Sequence, residues 1–354
     1  MIRLTDEAAV SLMPAWVSTR GPEGDVVFTT RMRLARNVAT APFPGRATLQ
    51  ELAAVAETCS APFEASQDFA DFRIAHVASL NEVARRTLVE RHLVSTGMAE
   101  YPEHRLGIIS PTGTLSVMIN EEDHVRMQCF LPGRDVREAW RILDALDDWL
   151  AGHLPWCYSP RYGYLTTHLA NVGTGLRASA MLHLPGLQLI GKRDETLRGA
   201  ANMGVAVRGL YGEGSESAGD VFQVSNRFAL GPSEDEIVSR VDSTVKFLVA
   251  AEREARNQLL NVDGEGIADA ASRAYGVLKY ARRISTAEAF QLLSRLKLGL
   301  DLKLVNIVRR AVVQQLFVLV RPASLQAISG MALRPEQRDR ARADLVREAL
   351  TSGK

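Results

Sequence analysis

Cysteine is scarce: Cys59, Cys129 and Cys157 are the only three in 354 residues, an odd number at no metal-ligand spacing. That excludes a disulfide scaffold and points to reduced thiols in a cytoplasm. The seven histidines form no zinc signature either, so no metal-ligating residues are expected. No apolar run approaches the roughly 18 residues that a membrane helix needs. The segment from Met1 to Trp16 carries Asp6 and Glu7 without a basic start or a clear cleavage site, so it is not expected to be a signal peptide. Neither sign of charge is in excess: a net charge of +1 gives no bulk attraction to nucleic acid or membrane. What is present is an ordinary globular balance, 46% hydrophobic and 23% charged, in a chain long enough for two domains.

The chain changes character near Gly231-Pro232-Ser233. Before it, strand-like runs alternate with helices. Strands are expected at 25–34, 105–110, 114–130, 187–190 and 205–210, and helices near 48–59, 81–94 and 135–153. After it the pattern is almost wholly helical. Ser233 with Glu236 makes a capping box, Ser285 with Glu288 repeats that start signal, and Pro335 opens a last helix to about Leu350. The reading is a catalytic domain of strands and helices over 1–231 and a helical domain over 232–354.

Four segments carry candidate chemistry. In the first, Leu115, Val117 and Ile119 alternate as a strand and run into Asn120-Glu121-Glu122-Asp123-His124-Val125-Arg126. If the strand continues, Asn120, Glu122, His124 and Arg126 share a face, which suits a cationic substrate beside an anionic one. An exposed strand end with a surface ion pair explains the same residues. In the second, Arg31 and Arg33 point the same way on an extended chain with no acid nearby in sequence. Two guanidinium forks so placed want an external anion such as phosphate, or form a solvated basic edge. The third, Asn171-Val172-Gly173-Thr174-Gly175-Leu176-Arg177, is a glycine-rich turn, possibly entering a helix, that lacks the lysine of a P-loop. The fourth, from Arg208 to Glu216, reads as a loop holding an arginine and two acids, Glu213 and Glu216.

In this order the segments resemble the phosphagen kinase catalytic domain, and more closely the bacterial protein arginine kinases of the McsB type. The likeness runs through TTRMRLARN, NEEDHVRMQCF, the stretch from GYLTTH to MLHLPGL, and YGEGSESAGDVFQVSNRFALG, from about Val26 to Gly231. It implies an α+β, glutamine-synthetase-like catalytic domain with a largely antiparallel sheet flanked by helices, followed by an all-α domain that pairs protomers. It also implies transfer of the ATP γ-phosphoryl group to the guanidinium of protein arginines, with Mg2+ bridging the phosphates. Arg31, Arg33, Arg126 and Arg177 would grip the nucleotide, Arg208 is a fifth candidate, and His92 matches a nucleotide-contacting histidine. Glu122 matches the catalytic acid, with Glu213 or Glu216 as the second carboxylate. Arg338, Asp339 and Arg342 resemble the RDxxRA phosphoarginine-binding motif, which implies regulation by that ligand.

Where the family usually has Cys-Pro-Thr, this chain has His168-Leu169-Ala170, a departure at the position beside the substrate guanidinium. The N-terminal helical domain of metabolic creatine and arginine kinases is expected to be absent. The partners implied are substrate proteins with exposed arginine, a zinc-binding activator and a Clp-type AAA+ protease for which phosphoarginine marks its targets. Competing readings are a kinase for free arginine or another small guanidine, and a phosphoarginine-binding adaptor without kinase activity.

Overall fold

The computed structural model describes residues 1–209 and 218–352. Eleven strands are seen among them: β1 (Ile2–Arg3), β2 (Val27–Arg36), β3 (Arg73–His76), β4 (Leu106–Ile109), β5 (Leu115–Ile119), β6 (Val125–Pro132), β7 (Tyr158–Ser159), β8 (Gly163–Tyr164), β9 (Leu176–His183), β10 (Val205–Gly209) and β11 (Val221–Asn226). Nine form one sheet in the order β1-β3-β4-β5-β6-β2-β9-β11-β10, and β7 with β8 makes a small separate hairpin. Every pair in the large sheet is antiparallel except β1 with β3. Helices pack around it, so the α+β expectation holds.

The strand expected at 114–130 is two, β5 and β6, joined by a turn, and two further elements differ from the sequence expectation. Residues 187–190 belong mostly to the helix Pro185–Leu189, not to a strand. Proline suits a first helical turn, and the Glu252 carboxylate accepts hydrogen bonds from Gly186 N (2.8 Å) and Leu187 N (3.0 Å), satisfying donors that the helix start leaves open. The glycine-rich turn leads into the strand β9, not into a helix. As an interior strand β9 is covered on both faces, so Ala178, Ser179 and Ala180 are all buried and no two-residue alternation shows.

The helix that starts at Ser233 spans Glu234–Tyr280 and is interrupted at Asp263 (φ −156°, ψ 59°). Asp263 Oδ1 accepts from Gly266 N at 2.9 Å and so restarts the helix as a cap would. The first part of this helix, from Ile237 to Ala255, packs into the core under the sheet. The last part, with Ala274 and Leu278, packs into a second core made by Thr286–Asp301, Arg310–Leu319 and Pro335–Ser352. That second core also takes in Phe28 and Val221 from the sheet, and Phe28 meets Phe317 at 5.2 Å between ring centroids. Among the described residues no single helix is long and apolar enough to cross a membrane.

Polar contacts fasten the two cores at Asp25. Its carboxylate accepts two hydrogen bonds from Arg253, at 2.9 and 2.8 Å. Its carbonyl accepts from Arg256 (3.3 Å) and from the buried Lys297 (3.0 Å), whose ammonium also holds Asp301 at 2.6 Å. Burial pushes the Asp25 carboxyl up, but the Arg253 hydrogen bonds and the charges of Arg253 and Arg256 outweigh it and bring the pKa down from 3.8 to about 2. A carboxyl lowered on folding stabilises above its unfolded pKa and loses that contribution as pH falls through its folded one. Asp25→Asn should therefore cost roughly 1–2 kcal/mol near neutral pH, after discounting for partial solvent screening. The difference between variant and parent should shrink between pH of about 4 and about 2 in urea unfolding. A difference that stays constant over that window would show that the ion pair is not its source.

Candidate active site

Strand pairing gathers the arginines. In the β2–β9 register Arg33 lies opposite Arg177; in the β2–β6 register Arg126 lies opposite Ala35, and Gln128 opposite Arg33. Arg31 and Arg33 share a face of β2 because they are two residues apart. Like charges placed directly across a strand pair repel. The effect shows in the guanidinium groups themselves. Burial, with Arg126 and Arg177 nearby, pushes Arg31 down to about 9. Burial and the charges of Arg31, Arg126 and Arg177 hold Arg33 well below the usual arginine value. Arg177 is lowered by burial, then by Arg208 and Arg126. The Nε atoms of Arg31, Arg33 and Arg177 have no hydrogen-bond partner among the described residues.

The acidic motif is not a continuation of the strand. Residues Asn120 to His124 form the turn of the β5–β6 hairpin, so the expected shared face of Asn120, Glu122, His124 and Arg126 is not found. Asn120 has φ 58°, a left-handed conformation that asparagine tolerates better than most residues. Its side-chain amide donates to Leu52 O (2.7 Å) and His104 O (2.9 Å). His124 turns inward, where its Nδ1 accepts from Val38 N at 3.2 Å. With the alternation broken, Glu121 and not Glu122 meets Arg126, at 2.7 Å, and it is buried. Burial pushes the Glu121 carboxyl up, and Arg126 with the Glu122 N–H brings it net down. Glu121 was not singled out from sequence, although it sits in the same acidic run.

Glu122 and Arg33, Arg126, Arg177, Arg208 and His168 line one cavity of about 500 Å³, together with Glu121 and Asp123. Glu122 Oε2 stands 3.3 Å from His168 Nε2, both side chains about half exposed. The backbone around this pair is pinned. Asp123 Oδ1 accepts from Asn37 Nδ2 and from Thr167 N, each at 2.7 Å, and Glu122 O accepts from Thr167 Oγ1 at 2.7 Å. Asp123 and Asn37 are positioning residues that sequence reasoning passed over. The glycine turn contributes by close packing: a side chain on Gly175 (φ 67°) would meet Ala35 O at 2.6 Å, so only glycine lets this turn lie against β2.

Arg31 lies beside this cavity without lining it; it donates to Gln128 Oε1 at 3.0 Å, and its guanidinium sits 5.0 Å from the Phe130 ring centre. His92 stacks on the same Phe130 ring at 6.3 Å between centroids. It follows the helix Glu82–Glu90 with φ 61°, is held far below its usual pKa by burial and by Arg321, Arg31 and Arg33, and leaves Nε2 without a partner among the described residues. Glu213 and Glu216 lie outside the described residues. Arg338 lines a separate cavity of about 620 Å³ with Glu90, Tyr101 and Gln326. Arg342 is buried, donating to Val320 O (2.8 Å), Ile284 O (2.7 Å) and Asp339 Oδ1 (2.6 Å), so it braces the helical core.

Among the described residues no group of three or more histidine, cysteine or acidic side chains could hold a metal ion. Glu121 is committed to Arg126 and Asp123 to Asn37 and Thr167.

A cavity lined by Arg33, Arg126, Arg177 and Arg208 together with Glu122 fits a polyanion beside a cation, the requirement of phosphoryl transfer to a guanidinium. Comparison with known proteins agrees. The family model described as ATP:guanido phosphotransferase, C-terminal catalytic domain, matches residues 54–255, and that described as protein-arginine kinase McsB C-terminal domain matches 264–354. Solved structures of a lombricine kinase (TM-score 0.58, 23% identity, 71% of each chain) and of the duplicated taurocyamine kinase of Schistosoma mansoni (TM-score 0.58, 24% identity, 79% of this chain and 41% of that one) share the fold. The protein-arginine kinase of Geobacillus thermodenitrificans is 40% identical over 95% of this chain and 93% of its own, and that of Moorella thermoacetica 41% identical over 95% and 97%. The chain belongs to the protein-arginine kinase family of ATP:guanido phosphotransferases.

Relief of like-charge repulsion predicts an exchange of stability for binding. Arg33→Met should leave the melting temperature of the ligand-free protein unchanged or raise it by about 1–3 °C. The same change should weaken ATP binding by about tenfold or more. Thermal melts and calorimetry check the two halves; a variant that melts lower but binds ATP as the parent does would contradict the electrostatic account.

Proposed function

We propose that the cavity between β2, β6 and β9 takes the ATP phosphates on Arg33, Arg126, Arg177 and Arg208, with Arg31 and His92 in support. The guanidinium of a substrate protein's arginine lies against Glu122. The observation that carries this reading is the common lining of one cavity by four arginines and Glu122. A guanidinium is a poor nucleophile because its lone pairs are delocalised and it stays protonated at neutral pH. Glu122 aligns it and accepts a proton from the attacking nitrogen as the N–P bond forms and the bond between the γ-phosphorus and the β,γ-bridging oxygen breaks, leaving ADP. Magnesium supplies charge neutralisation on the phosphates when it enters with the nucleotide. The arginines hold the same charge in line without reorganising during the reaction. His168, 3.3 Å from Glu122, stands beside the substrate guanidinium where the family usually has cysteine.

The second catalytic carboxylate is Glu213 or Glu216. The division of labour follows 1–231 for catalysis and 232–354 for pairing of protomers and binding of phosphoarginine. Arg338 lines a cavity with Glu90, which supports it as the side chain of that motif that touches such a ligand, while Asp339 holds the buried Arg342 guanidinium behind it in the helical core. The Glu90 carboxylate accepts from Ala323 N and Ser324 N, both at 2.7 Å, which joins the helix leading to His92 to the helical domain and offers a route for allosteric control. A zinc-binding activator, a Clp-type protease that consumes the marked proteins in quality control, and a cytoplasmic setting complete the reading.

The test is mass spectrometry under non-acidic conditions, since acid hydrolyses N–P bonds, after incubation with ATP, magnesium and casein. Phosphoarginine should form with the parent and fall by at least about a hundredfold with Glu122→Gln, the loss expected when a general base is removed. Phosphoarginine that persists unchanged in Glu122→Gln would remove that residue from the chemistry.

A further inference from the structure

Three exposed apolar side chains lie on loops that adjoin those lining the catalytic cavity: Leu169 is 87% exposed, Phe228 68% and Leu230 51%. Leucine and phenylalanine gain by leaving water, so three such side chains on adjoining loops offer a contact surface. Leu169 follows His168 directly, and His168, Ala170 and Asn171 all line the cavity. The loops that carry the three residues meet at Gly173. A side chain there would come within 2.7 Å of Leu230 Cα, and Val172 N donates to Leu169 O at 3.3 Å.

The backbone under each residue is fixed. Asn226 Nδ2 donates to Phe228 O (3.1 Å) and to Leu176 O (2.9 Å), next to Arg177. Thr174 N donates to Ala229 O at 3.0 Å, between Phe228 and Leu230. Thr167 is tied to Asp123 and to Glu122 O, just before Leu169. A rigid rim loses little entropy when something covers it.

We infer that this rim, Leu169 with Phe228 and Leu230, binds apolar side chains of the substrate protein that flank the target arginine, and so selects arginines in apolar sequence. The occupant follows from continuity with the catalytic cavity. A protein arginine whose guanidinium reaches Glu122 leaves its own backbone at the mouth, and the residues beside it must then lie on whatever forms the rim. Free arginine has no such neighbours and gains nothing from it. The inference rests on the placement of the guanidinium at Glu122 given above.

The test uses the full-length protein with two peptides, each with one arginine, flanked by leucine in one and by serine in the other. Phosphoarginine is followed under non-acidic conditions. The leucine-flanked peptide should react with about tenfold higher kcat/KM, the scale of discrimination an apolar subsite gives. The double variant Leu169→Ser with Phe228→Ser should erase that preference while ATP binds as in the parent. Equal rates on the two peptides with the parent, or a preference that survives the double variant, overturn the rim and leave the function standing. A double variant that changes the oligomeric state in light scattering also overturns it, because the patch is then a contact between copies. No reaction on either peptide or on casein removes the proposed function and the rim together.

Discussion

Repulsion among guanidinium groups is the constraint around which this molecule is arranged. The antiparallel pairing of β2 with β9 sets Arg33 opposite Arg177, and β6 brings Arg126 beside them. No isolated chain would hold these cations together, since the gain from each strand pair is small against the cost of burying charge. They stay because the sheet is anchored elsewhere. Among the described residues Glu121 is a close carboxylate partner for this set, and it goes to Arg126. The cation excess left over is what a polyphosphate would neutralise, so on the reading proposed above the free protein is held ready for its nucleotide at some cost in stability.

The anchoring comes from two sides. Under the sheet, apolar residues of the helix Glu234–Tyr280 complete the core begun by β2, β6 and β9. At the start of β2, Asp25 joins the strand to Arg253 by its carboxylate and to Arg256 and Lys297 by its carbonyl. The strand carrying Arg31 and Arg33 is thus fixed at the end remote from the cavity by the helices that follow it in sequence. The helical part therefore serves as a buttress for the catalytic sheet, whatever it binds on its own account.

Much of this was legible in sequence, and the failures have physical causes. Alternation and the short arginine spacing placed β2, and the capping pairs Ser233 with Glu236 and Ser285 with Glu288 marked two helix starts that the structure confirms. The strand β9 escaped because small residues buried on both faces leave no period to read. The helix Pro185–Leu189 escaped because its cap, Glu252, is remote in sequence. At the site, the composition of the acidic motif identified its importance, but not which acid faces which partner. A turn at Asn120 shifts the pattern, so Glu121 takes Arg126 and Glu122 faces the cavity beside His168. That shift depends on Leu52 and His104 carbonyls holding the Asn120 amide, contacts that local sequence cannot display.

On the reading proposed above, the phosphates of the nucleotide neutralise the clustered arginines. Calorimetric titration with ATP, ADP and AMP in the same buffer and salt tests it most directly. Affinity should fall at each phosphate removed, by at least about a hundredfold from ATP to AMP, since charge-assisted contacts to arginine contribute on the order of 1.5–3 kcal/mol each. Equal affinity for the three nucleotides would mean that binding rests on the base and ribose, and would contradict the account.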